Sequence, residues 1–230
     1  MHNIVAIFKR QIMDTLKNKE TLIQFVMFPV LTLIMSRMIH VEGMPGNYFV
    51  NLFASMYIGM APLTAMAAVM AEEKEKNTLR VLLLSNVKPY EYLMGVGGYV
   101  WTACMLGGLV ICMAGGYDLG KSAVFMGILA VGFLVSILVG AVIGTWSRNQ
   151  MMATSLTVPV MLLFAFLPML SLFNDSIAKV ARFTYSEQIS RMLYHLEGGW
   201  QQAEGIGVVA GNLVLFAGLF AVAYRKCGLE

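Results

Sequence analysis

The chain has 230 residues, of which 58% are hydrophobic and 13% charged, with a net charge of +3. A soluble domain typically carries about 25% charged residues, so this chain lacks the polar side chains a soluble exterior needs, and most of its surface must face lipid. Cys104, Cys112 and Cys227 are too few and too scattered for a disulfide framework or a metal cluster.

Residues 1–20 carry Lys9, Arg10, Lys17 and Lys19 dispersed with Asp14 and Glu20. No short apolar stretch there ends in a small-residue cleavage site, so the segment does not read as a cleavable signal. Ile4, Ile7, Phe8, Ile12 and Leu16 recur at helical spacing with the charges on the other side. That pattern describes an amphipathic helix in the membrane interface; the alternative is a solvated helix packed on another chain.

A bilayer core of roughly 30 Å takes about 20 helical residues to cross. Six apolar runs have that length: 21–39, 49–71, 91–114, 123–146, 151–173 and 205–224. The predicted class is therefore all-α, a polytopic membrane protein of six transmembrane helices. Its two parts are an interfacial helix over 1–20 and a transmembrane domain over 21–230. With the N-terminus inside, Lys9, Arg10, Lys17, Lys19, Lys74, Lys76, Arg80, Lys88, Arg148, Arg225 and Lys226 are cytoplasmic. Only Arg37, Lys121, Lys179, Arg182 and Arg191 then lie outside. This bias places both termini in the cytoplasm of a cell-membrane protein.

The second run carries Met56, Met60, Met66 and Met70, among 19 methionines in all. They read either as an adaptable surface for varied cargo or as gap-filling between helices. The loop that follows, residues 72–90, is EEKEKNTLRVLLLSNVKPY. Its charged opening continues the second span, Asn77–Thr78 suits the N-cap of a short helix, and Leu79, Val81, Leu82, Leu83 and Leu84 form a short apolar segment. A short apolar helix below the membrane either receives a protein partner in a groove or packs on the end of its own bundle.

Residues 115–122, GGYDLGKS, formally satisfy the phosphate-binding pattern G-x-x-x-x-G-K-[ST]. A working phosphate loop joins a strand to a helix; this one joins two apolar runs and falls on the external side. It reads as a tight turn. In the next run Ser136, Gly140 and Gly144 lie four apart on one face, a helix-packing pattern. No span carries an ionisable residue near its middle, which argues against ion-coupled pumping. His2, His40 and His195 are isolated, the spans hold no acidic pair, and no catalytic or metal-binding constellation is present.

The 72–90 loop resembles the coupling-helix region of permease subunits of type-2 ABC exporters. Those show an acidic-basic run, then Gly-Thr-Leu, a leucine-rich turn and a proline-containing return into the third span. Here Thr78, Leu79, Leu82, Leu83 and Pro89 match, while Asn77 replaces the glycine. Residues 182–193, RFTYSEQISRML, resemble a segment of the last external loop that begins at a Thr-Tyr pair and continues as a helix. The order of interfacial helix, six spans and a long last loop, 174–204, is also similar.

The resemblance implies a transmembrane permease subunit of an ATP-driven exporter for an amphipathic cargo such as an antimicrobial peptide, drug or lipid. Glu72, Glu73, Thr78, Leu79, Leu82, Leu83 and Pro89 would couple it to an ATP-binding cassette ATPase subunit. Thr184, Tyr185, Ile189 and Met192 would belong to an external re-entrant helix. The chain itself would be no enzyme and hold no cofactor, with ATP and magnesium bound by the partner ATPase. A second permease subunit, identical or not, and membrane lipid are the other expected partners, with no nucleic acid. The rival reading is a secondary transporter or channel working without an ATPase.

Overall fold

Apolar segments in lipid must bond every backbone amide internally, and the α-helix does so within one segment. A computed structural model describes residues 2–17, 19–39, 47–78, 89–196 and 203–226, and among them there is no strand. The described helices are α1 (His2–Lys17), α2 (Lys19–Met38), α3 (Tyr48–Glu75), α4 (Pro89–Ala114), α5 (Leu119–Trp146), α6 (Gln150–Ser171), α7 (Asp175–Ala181), α8 (Tyr185–Tyr194) and α9 (Ala203–Lys226).

Five helices, α3, α4, α5, α6 and α9, are long and apolar enough to cross a membrane. The first predicted run, 21–39, falls on α2, whose apolar stretch Leu22–Met38 is shorter than the other five. At 1.5 Å per residue the 28-residue α3 is about 42 Å long, more than a hydrocarbon core of about 30 Å. Its charged last turns therefore stand clear of the apolar layer.

α3 is the axis of the bundle and packs against α2, α4, α5, α6 and α8. Its most apolar window is 67% buried, against 11% for that of α9, which lines the periphery. Two flanks of α3 are held by missing side chains. A Cβ on Gly59 would lie 2.7 Å from the Ala165 backbone nitrogen of α6. On the other flank a Cβ on Gly140 of α5 would collide with the Leu63 carbonyl, and one on Gly144 would lie 2.7 Å from Met70 Cβ. Such approaches replace the hydrophobic drive that lipid does not supply between helices. Tyr57, Met66, Met70, Phe125, Leu129 and Phe133 fill the centre and are fully buried.

Candidate functional site at the charged end of α3

Successive helical residues point about 100° apart, so a charged run at a helix end reaches several neighbours at once. Glu72 turns outward and pairs with Lys76 at 2.5 Å; the carboxylate holds that ammonium above its ordinary pKa. Glu73 turns inward and is 5% exposed. It accepts a 2.8 Å hydrogen bond from Gln11 Nε2 of α1, with the Arg10 guanidinium 3.8 Å away. The buried Tyr92 hydroxyl of α4 lies beside the same carboxylate.

Lys74 points to α5. Its ammonium donates to the carbonyls of Gly144 (3.4 Å), Thr145 and Ser147 (3.0 Å). The last carbonyls of a helix lack intrahelical donors and carry the negative end of its dipole, so a lysine there answers both needs. Glu75 reaches the opposite pole of the next helix, accepting from the Gln150 amide at the start of α6 at 2.9 Å. Three consecutive side chains thus tie the end of α3 to α1, α5 and α6.

Asn77 then takes φ +55°, and its amide donates to the Lys74 carbonyl at 3.0 Å. It closes α3 in the left-handed conformation that asparagine tolerates better than most residues, and it directly precedes the next helical residue, the position expected for it from the sequence. Thr78 is helical again, and α4 opens at Pro89. Leu79, Leu82 and Leu83 lie outside the described residues.

At the other end of the bundle α8 is wedged among α3, α5, α6 and α9. Thr184 occupies its N-cap position and donates to the Ala181 carbonyl at 2.6 Å. Tyr185, Ile189 and Met192 are buried. The Tyr185 ring packs on Phe164 of α6 at 4.8 Å, and its hydroxyl bonds Ser136 of α5 at 2.9 Å. Ser136 donates in turn to the Ile58 carbonyl of α3 at 2.6 Å. Ser136, Gly140 and Gly144 thus lie along the face of α5 that meets α3. Glu187, also buried, accepts from Ser171 at 2.8 Å and from Arg191 at 2.7 Å.

Within GGYDLGKS, residues 115–118 form the turn between α4 and α5, and 119–122 open α5. Gly116 has φ +62°, the Tyr117 hydroxyl donates to Asn51 at 3.0 Å, and a helix, not a strand, leads in. Of the methionines, Met66 and Met70 are buried between helices, whereas Met60 lines a crevice of about 260 Å³ between α2, α3 and α6. Met27, Met161, Gln24, Thr64 and Thr157 share that crevice.

Sequence reasoning missed Gln11, Arg10, Lys74 and Glu187 as positioned residues. The available signal was weak: each is a polar residue on an amphipathic or charged stretch, where solvent is the default partner. No curated protein matches the chain. The model of the ABC-2 family transporter proteins, permeases that generally work with an ATPase subunit, matches residues 2–224, and the chain therefore belongs to that family.

Proposed function

We infer that this chain is one permease half of an ATP-driven exporter, energised by an ATP-binding cassette ATPase on a separate chain. The observation that carries this reading is the fastened end of α3. A rigid, multiply tied helix end immediately before the apolar 79–84 segment is what a partner needs if its movement is to reach the spans. In this reading Leu79, Leu82 and Leu83 seat in the ATPase, flanked by Glu72, Glu73, Thr78 and Pro89. ATP and magnesium bind on that partner, and this chain contributes no catalytic residue.

α2 acts as the sixth span. Its apolar stretch of about 25 Å at 1.5 Å per residue is accommodated by local thinning and by Arg37 reaching the interface. Both termini and the 72–90 loop are cytoplasmic, α8 caps the external end as a re-entrant helix, and the protein sits in the cell membrane. Two such subunits, identical or not, pair around the pathway. The crevice lined by Met60, Met161, Thr64 and Thr157 combines soft apolar groups with hydroxyls, which suits an amphipathic cargo.

Replacing Leu79, Leu82 and Leu83 together with aspartate tests the docking. The expected result is loss of the cognate ATPase from the co-purified complex, with the permease still monodisperse. Recovery of the ATPase at wild-type yield sinks the reading.

A further inference from the structure

A groove of about 460 Å³ runs along the outside of the bundle between α1, α2 and α4. Its walls include Ile12 of α1, Phe25 and Val26 of α2, and Leu106 and Val110 of α4. Thr15, Tyr99 and Thr102 also line it, but each is already hydrogen-bonded within the protein. Tyr99 donates to Thr15, and Thr102 donates to the Gly98 carbonyl at 2.7 Å. A polar ligand would lose its hydration there with little to replace it. From Tyr99 to Val110 the groove follows α4 for about 16 Å at 1.5 Å per residue, a long and narrow apolar shape.

The groove opens outward: Ile12 is 38%, Val26 47% and Leu106 64% exposed. Lys9 sits three residues before Ile12 on the same side of α1. Its side chain is exposed and has no acidic partner among the described residues. Val5 and Met13, both exposed, border it. An apolar helix face interrupted by an unpaired cation matches the boundary between acyl chains and anionic headgroups.

We propose that this groove is a specific site for one acyl chain of an anionic membrane phospholipid whose headgroup phosphate meets Lys9. It lies on the opposite flank of α2 from the crevice bordered by Gln24, Met27 and Met60, so the two cavities are separate. Because α1 also carries Arg10 and Gln11 to Glu73, a chain wedged behind α1 braces that helix against the end of α3. The site needs only the family's membrane location and stands apart from the exporter reading.

The test uses the full chain in phosphatidylcholine nanodiscs doped with phosphatidylglycerol bearing a photoreactive diazirine in its acyl chain. Cross-links are expected to concentrate on the α2 and α4 stretches around Val26 and Leu106. Val26→Trp with Thr102→Trp fills the groove from two exposed positions and lowers that labelling about tenfold, a modest change in binding free energy. Val214→Trp, on the exposed face of α9, leaves it unchanged. Lys9→Glu, at an exposed position, keeps the chain but abolishes preference for phosphatidylglycerol over phosphatidylcholine. Labelling spread evenly over all lipid-facing helices overturns the proposal, as does a filled variant labelled like the wild type. Should the filled variant misfold, the wild-type map and the Lys9→Glu preference decide.

Discussion

The two ends of α3 are held by different physics. At Glu72–Lys76 the ties are ionic or charge-assisted, reach three other helices, and include partners as exposed as Arg10 and Lys76. Around α8 the ties are mostly apolar: Tyr185, Ile189, Met192 and Leu193 are buried, and the one acid there, Glu187, is satisfied by Ser171 and by Arg191 on its own helix. Packed apolar contacts have few alternative arrangements, whereas charge-assisted bonds near water can be exchanged for others at little net cost. The two ends of α3 therefore differ in the kind of bond that holds them: directional and charge-assisted at Glu72–Lys76, mostly close-packed and apolar around α8.

The largest effect should come from breaking what both ends share. Gly140→Leu drives a side chain into the Leu63 carbonyl and should cost about 3 kcal/mol or more. The expected readout is loss of monodisperse protein on size exclusion, with both ends equally affected.

Glu73→Ala and Glu187→Ala separate the two regions. Each strands buried or half-buried donors and should cost about 1–3 kcal/mol. Glu73→Ala should expose α1 to proteolysis without changing amide exchange in α8, and Glu187→Ala should do the converse. Equal responses at both ends would refute the contrast. Raising salt to about 1 M, where the screening length falls to about 3 Å, should loosen α1 while leaving α8 protected.

Tyr185→Phe removes one hydrogen bond to Ser136 and should lower the melting midpoint by the equivalent of about 1 kcal/mol. Asn77→Gly keeps the left-handed conformation and should change stability by less than about 0.5 kcal/mol. A clear loss there would show that the asparagine side chain itself holds the turn.

Much of the architecture was legible because lipid leaves the chain little choice. Apolar runs of spanning length gave the run 49–71, seen as α3 over Tyr48–Glu75, and 123–146, seen within α5 over Leu119–Trp146. The four-residue spacing of Ser136, Gly140 and Gly144 identified a face but not the helix it meets. Gly59, four residues after Ser55, carried the same small-residue spacing, but nothing in it pointed to Ala165 as its contact.

Glu73 was hidden differently. In EEKEK every residue looks equally solvated, and which one is buried depends on Gln11, 62 residues earlier, docking from α1. Asn77 was legible as a helix boundary, but its sequence did not say that it also closes α3, because a short polar side chain suits both the start of one helix and the end of another. Only backbone geometry distinguishes the two.

The glycine contacts on the two flanks of α3 also limit how the bundle can deform. With Gly59 of α3 set against the backbone of α6, and Gly140 of α5 against the Leu63 carbonyl of α3, α3 can neither roll nor slide without lifting one neighbour away. α3, α5 and α6 therefore form a single lever arm. Any bending between them is paid at close-packed backbone, whereas the thinly buried α9 can shift against them more freely.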